Sequence, residues 1–300
     1  MILLGSLFSG ICSEYFCNIG ETEQVFAADN DRFVGTFLRN NVRPKILVDQ
    51  DLATYDVATL PYVDVFLAGA PCQPFSSIGT SDPDDPRTEL YQAPLRYARS
   101  KKPKYFIFEN VPPFQRSPSF HRLVRALQRL YRTVQFKVLD AARFGSIQRR
   151  KRLFIVASDV PFSFPEGKDG RPPPFVASVL DPPSTDFQYL SEKGKAYLDR
   201  RKKWGVRIYR RKDRAFLGTL PRSYGHMQSW KHTMDEGNGR LRNLTPSEAF
   251  RIQSFDPSLF DCTGLSRRQI MYMAGNAIDR KMLEALLRSI LGKSPGNIVP

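Results

Sequence analysis

The sequence predicts an α/β fold with a mostly parallel, doubly wound sheet and a second, smaller and irregular domain. Short apolar runs alternate with longer amphipathic stretches over the first 157 residues, which is typical of buried strands covered by helices on both faces of a sheet. Prolines then interrupt the chain between Pro161 and Pro183, and a basic, aromatic segment of weak periodicity follows to about residue 240. These changes predict three parts, at residues 1–160, 161–262 and 263–300.

Seven apolar runs are candidate strands, and four amphipathic stretches are candidate helices. The strands are expected at Ile2–Leu7, Val25–Ala28, Ile46–Val48, Val63–Ala68, Tyr105–Phe108, Val134–Leu139 and Leu153–Ala157. The helices are expected near Asp31–Asn40, Glu89–Arg99, Phe120–Tyr131 and Arg280–Leu291. Thr245 and Glu248 form a capping-box pattern that predicts the start of a further helix. Ligands of such sheets bind beyond the carboxyl ends of the strands, so residues that follow a strand are the first candidates for a site.

Composition favours a globular protein in a reducing compartment. No apolar run reaches the roughly 18 residues that span a membrane, and Met1–Gly5 lacks a basic leader, so we expect a first strand there and not a signal peptide. The chain has four cysteines, Cys12, Cys17, Cys72 and Cys262, with no C-x-x-C pair and no histidine cluster. A zinc site and a disulfide framework are both disfavoured, and a cytoplasmic location is expected, or a nuclear one in a eukaryote.

Charge is unevenly distributed along the chain. The net charge is +15 at pH 7, yet residues 1–100 carry 7 basic and 13 acidic side chains, whereas residues 101–300 carry 38 and 17. Neutralisation of phosphates by Lys and Arg dominates affinity for nucleic acids. The later part of the chain therefore predicts a polyanion-binding surface, and a generally soluble basic protein is the alternative.

One short motif is the strongest functional signal. Cys72 follows the apolar run Val63–Ala70 and is flanked by Pro71 and Gln73-Pro74, so a buried strand would deliver it to a stiff loop. A lone Pro-Cys is weak, because a free cysteine is usually a small buried hydrophobe. Four further segments follow in order: Phe108-Glu-Asn-Val111, Gln148-Arg-Arg-Lys-Arg152, Arg242-Asn-Leu-Thr245 with Glu248, Arg251 and Gln253, and Gly275-Asn-Ala-Ile278. In this order and spacing the chain resembles the cytosine carbon-5 DNA methyltransferases over most of its length outside residues 160–240.

The resemblance implies a Rossmann-like, S-adenosylmethionine-dependent methyltransferase fold and a covalent mechanism. Carbon 5 of cytosine is a poor nucleophile until a thiolate adds to carbon 6, and Cys72 matches the family's nucleophile. Glu109 matches the proton donor to ring nitrogen 3 and is expected to be kept protonated by burial. Asn110 matches a residue that orients the loop on the thiolate side.

The remaining catalytic candidates flank this set. Alternation before a strand is expected to put Arg150 and Arg152 on one face; by resemblance, Arg152 binds the cytosine carbonyl oxygen and Arg150 supports the cysteine loop. Gln73, Ser76 and Arg87 match a mobile loop that closes on substrate, with Ser76 and Arg87 expected to contact the nucleic acid.

The cofactor half lies near the start of the chain. Phe8-Ser-Gly10 follows the first candidate strand and is expected to open a helix, whose dipole and amides would hold an anionic group. In the family this loop reads F-x-G-x-G and holds the methionine part of the cofactor. The resemblance therefore assigns Phe8, Ser9, Gly10, Ile11 and Cys12 to it, with Cys12 in place of the second glycine.

Further cofactor candidates follow later strands. By resemblance, Asp29 accepts hydrogen bonds from the ribose hydroxyls and Asn30 lies beside the adenine. Asp51, in Asp51-Leu52, accepts a hydrogen bond from the adenine amino group. An aspartate at a strand end is otherwise usually a turn or cap residue. Pro71, Asn276 and Ala277 complete the set. The expected cofactor is S-adenosylmethionine, released as S-adenosylhomocysteine.

The resemblance also implies double-stranded DNA as the partner. The target base has to leave the duplex to reach such a site, so base flipping is implied, and residues 160–240 are expected to choose the sequence. The candidates for DNA contact in this segment are Arg200, Arg201, Lys202, Lys203, Tyr224 and His226, although any one aromatic there is more often a core residue. We expect a monomer without membrane contact, and a paired restriction endonuclease is left open.

Two other functions compete with this interpretation. An enzyme of the same fold acting on tRNA is the main alternative, because Asp85-Pro-Arg-Thr88 and Pro103-Lys-Tyr105 resemble that branch of the family. That branch also carries a cysteine-containing signature in its specificity region, and residues 160–240 contain no cysteine. A nucleic-acid-binding protein without catalysis would need a broken catalytic set, whereas every member of that set is present here.

Overall fold

The chain forms two compact units that are interleaved in sequence. The computed structural model describes residues 1–71, 85–184, 187–201, 206–222, 224 and 232–293, with backbone alone at residue 201. The first unit comprises Met1–Asp140, Lys151–Gly167 and Leu283–Pro300, and the second comprises Ala141–Arg150 and Lys168–Met282. The functional boundaries expected at 1–160, 161–262 and 263–300 stay a prediction.

The first unit is built on a seven-stranded sheet. In chain order its strands are β1 (Ile2–Leu7), β2 (Thr22–Ala28), β3 (Ile46–Val48), β4 (Val65–Ala68), β5 (Tyr105–Asn110), β6 (Thr133–Asp140) and β7 (Lys151–Ser158). Their spatial order is β3-β2-β1-β4-β5-β7-β6. The helices between them are α1 (Arg32–Asn41), α2 (Gln92–Lys101) and α3 (Pro118–Gln128). The predicted α/β class with a mostly parallel sheet is confirmed.

Strand direction brings the carboxyl ends of six strands to one edge of this sheet. β1 pairs in parallel with β2 and β4, β2 pairs with β3, and β4 pairs with β5 in the same sense. β7 lies antiparallel between β5 and β6, so β6 runs in the same direction as β5. The carboxyl ends of β1 to β6 and the beginning of β7 therefore lie at the same edge.

The apolar runs are buried because helices cover the sheet. β4 and β5 are buried along their whole lengths, as expected of central strands covered on both faces. Tyr97 of α2 stacks on Phe66 of β4 with ring centroids 4.4 Å apart, and its hydroxyl donates to the Pro61 carbonyl. The predicted strands and helices of this unit are confirmed, with ends shifted by a few residues.

The second unit combines a small sheet with short helices. Its strands β8 (Ile208–Arg210), β9 (Thr233–Asp235) and β10 (Leu241–Arg242) are arranged in the order β10-β9-β8. The helices are α4 (Glu192–Arg201), α5 (Pro246–Ile252) and α6 (Arg267–Asn276). The capping box predicted at Thr245 and Glu248 is confirmed at the start of α5, and a second one, Ser266 with Gln269, starts α6.

The last helix, α7 (Arg280–Ile290), starts in the second unit and ends in the first. Its predicted apolar face is buried, and its Glu284 carboxylate accepts the Asn18 N–H at 3.0 Å. Ser289 donates to the Ser163 carbonyl at 2.8 Å, and Lys293 donates to the Ile19 carbonyl. Residues 283–293 are thus built into the first unit.

Candidate active site

The turn after β1 is held to the end of β2 by a dense set of hydrogen bonds. The Ser9 hydroxyl donates to the Ala28 carbonyl at 3.1 Å and accepts the Ala28 N–H at 2.8 Å. The Gly10 N–H donates to Asp29 Oδ2 at 3.0 Å. These contacts bring the predicted cofactor candidates Ser9, Gly10 and Asp29 together.

No helix follows β1, which corrects the prediction made for this turn. Residues 10–16 form turns, and φ is positive at Phe8 (54°), Gly10 (52°) and Cys12 (54°). Left-handed backbone angles cannot continue a right-handed helix, and they cost a non-glycine residue roughly 1–2 kcal/mol each. Cys12, which stands where the family pattern has glycine, thus has a left-handed backbone, and no helix dipole is available here.

A buried polar cluster lies beneath this turn. Ser6 Oγ contacts Ser9 Oγ at 2.9 Å and Cys12 Sγ at 3.5 Å, and Gln24 Nε2 donates to Ser6 Oγ and to Glu14 Oε1 at 3.3 and 3.2 Å. Burial raises the pKa of the Glu14 carboxyl and the pKa of the Cys12 thiol. The sequence analysis missed Glu14 and Gln24; the polar Gln24 at a buried position of β2 was the available signal.

Aspartates follow β2 and β3 as predicted, but they are not equivalent. Asp29 accepts the N–H groups of Gly10 and Asp31, and burial raises the pKa of its carboxyl. Asp51 is exposed and accepts the Ala53 N–H at 2.9 Å, which is a turn contact. Leu52 is buried, whereas Asn30 is exposed.

An ion pair joins β5 to β7 at the same edge of the sheet. Glu109 Oε1 lies 2.9 Å from Arg152 Nε, and both side chains are largely buried. The sequence predicted Glu109 after its strand, whereas β5 continues to Asn110 because β7 pairs with it that far. Burial was expected to keep the Glu109 carboxyl protonated, and this stays a prediction.

The end of β4 lies between the cofactor turn and this ion pair. A Cβ placed on Gly69 would be 3.6 Å from Glu109 Oε2 and 3.7 Å from the Phe8 carbonyl oxygen. Asn110 Nδ2 donates to the Ala70 carbonyl at 3.2 Å, directly before Pro71. Cys72, Gln73 and Ser76 lie outside the described residues, so their predicted roles stay predictions.

Arg87 has a local partner. Its guanidinium binds the Asp85 carboxylate with Nη2–Oδ2 at 2.5 Å, and its side chain is 44% exposed. The hydrogen bonds from Arg87 lower the pKa of the Asp85 carboxyl. The predicted contact of Arg87 with nucleic acid stays a prediction.

Arg150 and Arg152 have different partners, although the sequence predicted a shared face. Arg150 is buried in the second unit, where it donates to the carbonyls of Leu220 and Gly275 at 3.0 Å each. Arg152 is bound to Glu109 in the first unit. Of the two later cofactor candidates, Asn276 is exposed at the end of α6, and Ala277 is buried.

Tyr224 is a core residue, which corrects its predicted contact with DNA. Its side chain is 1% exposed, and its hydroxyl donates to the His232 carbonyl at 2.7 Å and accepts the Leu244 N–H at 2.8 Å. Arg200 is exposed on α4. His226, Lys202, Lys203 and the side chain of Arg201 lie outside the described residues.

Ser254 also has a left-handed backbone, with φ +66°. Its hydroxyl donates to Asp279 Oδ2 at 3.0 Å. Within the described ranges, no group of three or more His, Cys, Asp or Glu residues could hold a metal ion, and no helix is long and apolar enough to cross a membrane.

Comparison with known proteins gives one family. The family described as C-5 cytosine-specific DNA methylase matches residues 4–173 and 178–292. The chain is 28% identical to the type II methyltransferase M.BsuFI of Bacillus subtilis over 88% of its length, and 29% identical to M.NgoBI of Neisseria gonorrhoeae over 93%. The match spans 66% of the Bacillus protein, just under two thirds, and 90% of the Neisseria protein.

Solved structures share the fold at lower identity. The Entamoeba histolytica methyltransferase EhMeth gives a TM-score of 0.78 at 20% identity, covering 97% of this chain and 98% of that one. The S. pombe Dnmt2 methyltransferase gives 0.79 at 17% identity, covering 97% and 99%. A putative DNA modification methyltransferase of an E. coli prophage gives 0.70 at 17% identity, covering 98% and 100%.

Proposed function

The chain belongs to the C-5 cytosine-specific DNA methylases, and from this membership we propose that it methylates carbon 5 of a flipped-out cytosine within a short DNA site. One observation carries the proposal. The cofactor turn, the Glu109–Arg152 ion pair and the strand that leads to Cys72 all converge on Gly69. A reaction that joins a cofactor, an acid and a thiol needs this convergence.

The first unit suits S-adenosylmethionine, which when bound supplies an electrophilic methyl group. The partly buried Asp29 carboxylate directly after β2 is a fitting acceptor for ribose hydroxyls, and the Gly10 N–H fixes the turn Phe8–Cys12 against it. The positive φ angles of this turn also support a ligand role, since such strain gathers at functional sites. We assign the other candidates, including Asn30, Asp51, Leu52, Pro71, Asn276 and Ala277, on the family pattern alone.

The chemistry follows from the nature of the cytosine ring. The Cys72 thiolate forms a bond to carbon 6, and the ring's electron density moves towards nitrogen 3, where Glu109 supplies the proton. Carbon 5 then takes the methyl group, which leaves S-adenosylhomocysteine as the product. A base removes the carbon 5 proton, the thiolate is expelled, and nitrogen 3 returns its proton to Glu109, which restores the ring. Asn110 orients the cysteine loop through the Ala70 carbonyl.

The Glu109–Arg152 pair suits two neighbouring atoms of the cytosine ring. Arg152 Nε lies 2.9 Å from Glu109 Oε1, and we assign the guanidinium to the cytosine carbonyl oxygen and the Glu109 carboxyl to nitrogen 3.

Partners and location follow from the relatives. Two relatives are type II methyltransferases of bacteria, so we propose a cytoplasmic modification enzyme that acts as a monomer on double-stranded DNA, with a cognate restriction endonuclease as a partner to be sought. The tRNA enzyme of the same fold is the second candidate, favoured by Asp85-Pro-Arg-Thr88.

Bisulfite sequencing of DNA from cells that express the chain tests activity and target together. We expect methylated cytosines within one short motif, and none with Cys72→Ser, which should still bind the cofactor. Purified protein should transfer labelled methyl groups to duplex DNA and not to tRNA. Methyl transfer to tRNA alone would contradict the assignment to DNA. If Cys72→Ser kept more than a few per cent of the wild-type turnover, Cys72 would not be the nucleophile.

Site choice is assigned to residues 160–240. So small a segment reaches few base pairs, each worth roughly 1–3 kcal/mol of discrimination, so we expect a site of about two to five base pairs. Grafting the segment onto a related methyltransferase should transfer the site and leave the carbon-5 product unchanged. An active graft that keeps the scaffold's own site would refute this assignment.

A further inference from the structure

A strap of backbone in the second unit, residues Leu217–Arg222, is held by hydrogen bonds from residues 147–150 of the same unit. Leu217 exchanges hydrogen bonds with the chain on both sides of Gln148, donating to the Ile147 carbonyl and accepting the Arg149 N–H, each at 2.9 Å. The Thr219 hydroxyl donates to the Arg149 carbonyl at 3.0 Å. Gln148 Oε1 accepts the Leu220 N–H at 2.6 Å, and Arg150 Nη1 donates to the Leu220 carbonyl at 3.0 Å.

The far side of the strap rests on the end of α6. Arg150 Nη2 donates to the Gly275 carbonyl at 3.0 Å, so one guanidinium joins the strap to this helix. A Cβ on Gly275 would lie 2.5 Å from the Pro221 carbonyl oxygen, which requires glycine there. Gln148 Nε2 donates to Gln253 Oε1 at 3.0 Å, and Gln253 donates to the Ala274 carbonyl at 2.8 Å.

The strap in turn positions the small sheet. The Tyr224 N–H donates to the Pro221 carbonyl at 3.0 Å, and the Tyr224 hydroxyl joins His232, which directly precedes β9, to Leu244, which follows β10. The His232 ring contacts the strap itself through Nε2 and the Gly218 carbonyl oxygen, 2.9 Å apart. A displacement of the strap would therefore displace both ends of the β9–β10 hairpin.

The choice of residues is informative. Gln148 and Arg150 are 0% and 1% exposed. Because burying a guanidinium is costly, apolar residues at these two positions would stabilise the fold equally well. The planar Arg150 guanidinium binds two separate carbonyls and so fixes the position of one relative to the other. The flexible ammonium group of a lysine lacks this rigid geometry. Buried polar residues of this kind suit a recognition surface whose backbone has to be held in one conformation.

We propose that Gln148 and Arg150 are positioning residues for target recognition: they fix Leu217–Arg222, and through Tyr224 the β8–β10 sheet, in the geometry that discriminates one DNA site from another. This inference rests on the proposed function. In this inference Arg150 contributes to the choice of the DNA site, in place of the support of the cysteine loop that the sequence predicted.

The test uses Gln148→Met, which removes the buried acceptor, and Thr219→Val, a surface change that leaves the core intact. Dissociation constants are measured for a duplex with the wild-type site and for a scrambled duplex, and single-turnover methyl transfer is measured at saturating DNA. We expect the ratio of the two constants to fall about tenfold in Gln148→Met, the worth of one misread base pair, and about threefold in Thr219→Val. The transfer rate at saturation should stay within about threefold.

Thr59→Val is the matched control, because it removes an equivalent hydroxyl bond, to the Asp56 carbonyl, in the first unit; its ratio should not change. An unchanged ratio in folded Gln148→Met and Thr219→Val would overturn the inference, as would a large loss of transfer rate with the ratio intact. If Gln148→Met does not fold, the ratio of dissociation constants measured for Thr219→Val alone tests the inference. A wild-type protein that methylates no DNA would instead refute the proposed function.

Discussion

The Glu109 carboxylate and the Arg152 guanidinium act as one coupled group. Their atoms are 2.9 Å apart, and their side chains are 12% and 13% exposed, so solvent and salt screen the pair only weakly. Register creates it: Glu109 faces Phe154 across the β5–β7 ladder, and Arg152 lies two residues before Phe154. Removing either partner leaves the other without its ion pair in a largely buried position.

Glu109→Gln should slow methyl transfer in a single turnover by about 100-fold or more, because the amide has no proton to give nitrogen 3. DNA affinity should change little. Glu89→Gln is the control, since Glu89 also binds an arginine, Arg122, at 3.1 Å but on the surface. An unaltered single-turnover rate in Glu109→Gln would assign proton donation to another group.

The buried Glu14 makes stability depend on pH. Burial raises the pKa of its carboxyl above the ordinary 4.5, so the folded protein binds a proton that the unfolded chain releases. This contribution is fully present below about pH 4.5 and is lost as the pH rises through the raised pKa. Glu14→Gln carries no such proton.

The unfolding free energy of wild type minus that of Glu14→Gln should therefore decrease as the pH is raised from 4.5 to 8. Urea unfolding at several pH values measures the difference, and comparison with the variant cancels the other titrating groups, including the neighbouring Cys12. A difference that stays constant over this range would show that Glu14 titrates normally.

Among the elements, α5 depends on a buried ion-pair network at its first turn. Arg242 binds Glu248 with Nη1–Oε2 at 2.8 Å and Glu236 with Nη2–Oε1 at 2.6 Å, and its guanidinium lies 3.9 Å from the centre of the Phe187 ring. Glu248 also closes the capping box with Thr245 and accepts the Asp181 N–H. The Glu248 side chain thus joins α5 to Arg242 of β10 and to Asp181.

Glu248→Gln should lower the unfolding free energy by roughly 3 kcal/mol, because it leaves the charge of Arg242 less compensated in the interior. Gln269→Ala at the exposed capping box of α6 is the matched case and should cost about 1 kcal/mol or less. Chemical denaturation of both variants measures the difference. Equal losses would mean that capping, and not the buried charge, controls α5.

Elements were more predictable than the contacts between them. Apolar runs and capping patterns located the strands of the large sheet, α5 and α7, because burial and hydrogen-bond satisfaction act locally. The turn after β1 could not be predicted in the same way: three positive φ angles replace a helix, and Ser9, Gly10 and Asp29 fix them by contacts from β2. Arg150 and Tyr224 likewise depend on partners far away in sequence.

For the whole molecule, the charge is divided along the chain. The basic excess falls entirely in residues 101–300, against an acidic first third. Counterion release makes each phosphate contact lower the logarithm of affinity by about 0.9 per tenfold increase in salt. The number of contacts can therefore be counted from a salt titration.

DNA affinity should fall steeply with salt, and exchanging Arg200, Arg201, Lys202 and Lys203 together for glutamine should flatten the slope. Exchanging three surface cations of the first unit, Arg39, Lys45 and Lys102, should not, because each has an acidic partner. Fluorescence anisotropy at several salt concentrations provides both slopes. An unaltered slope in the quadruple variant would move the contact surface elsewhere on the chain.

The split of the first unit into Met1–Asp140, Lys151–Gly167 and Leu283–Pro300 has a consequence for protein synthesis. The ribosome releases every strand of the large sheet before Lys168–Met282, the longer segment of the second unit, and α7 is completed only after that segment. Until then the surface covered by Leu283, Leu286 and Leu287, all 0% exposed when folded, stays open to chaperones and proteases. Nascent chains stalled before residue 283 should be digested faster than chains stalled after α7 has left the tunnel. An incomplete chain without α7 would then have an unstable first unit.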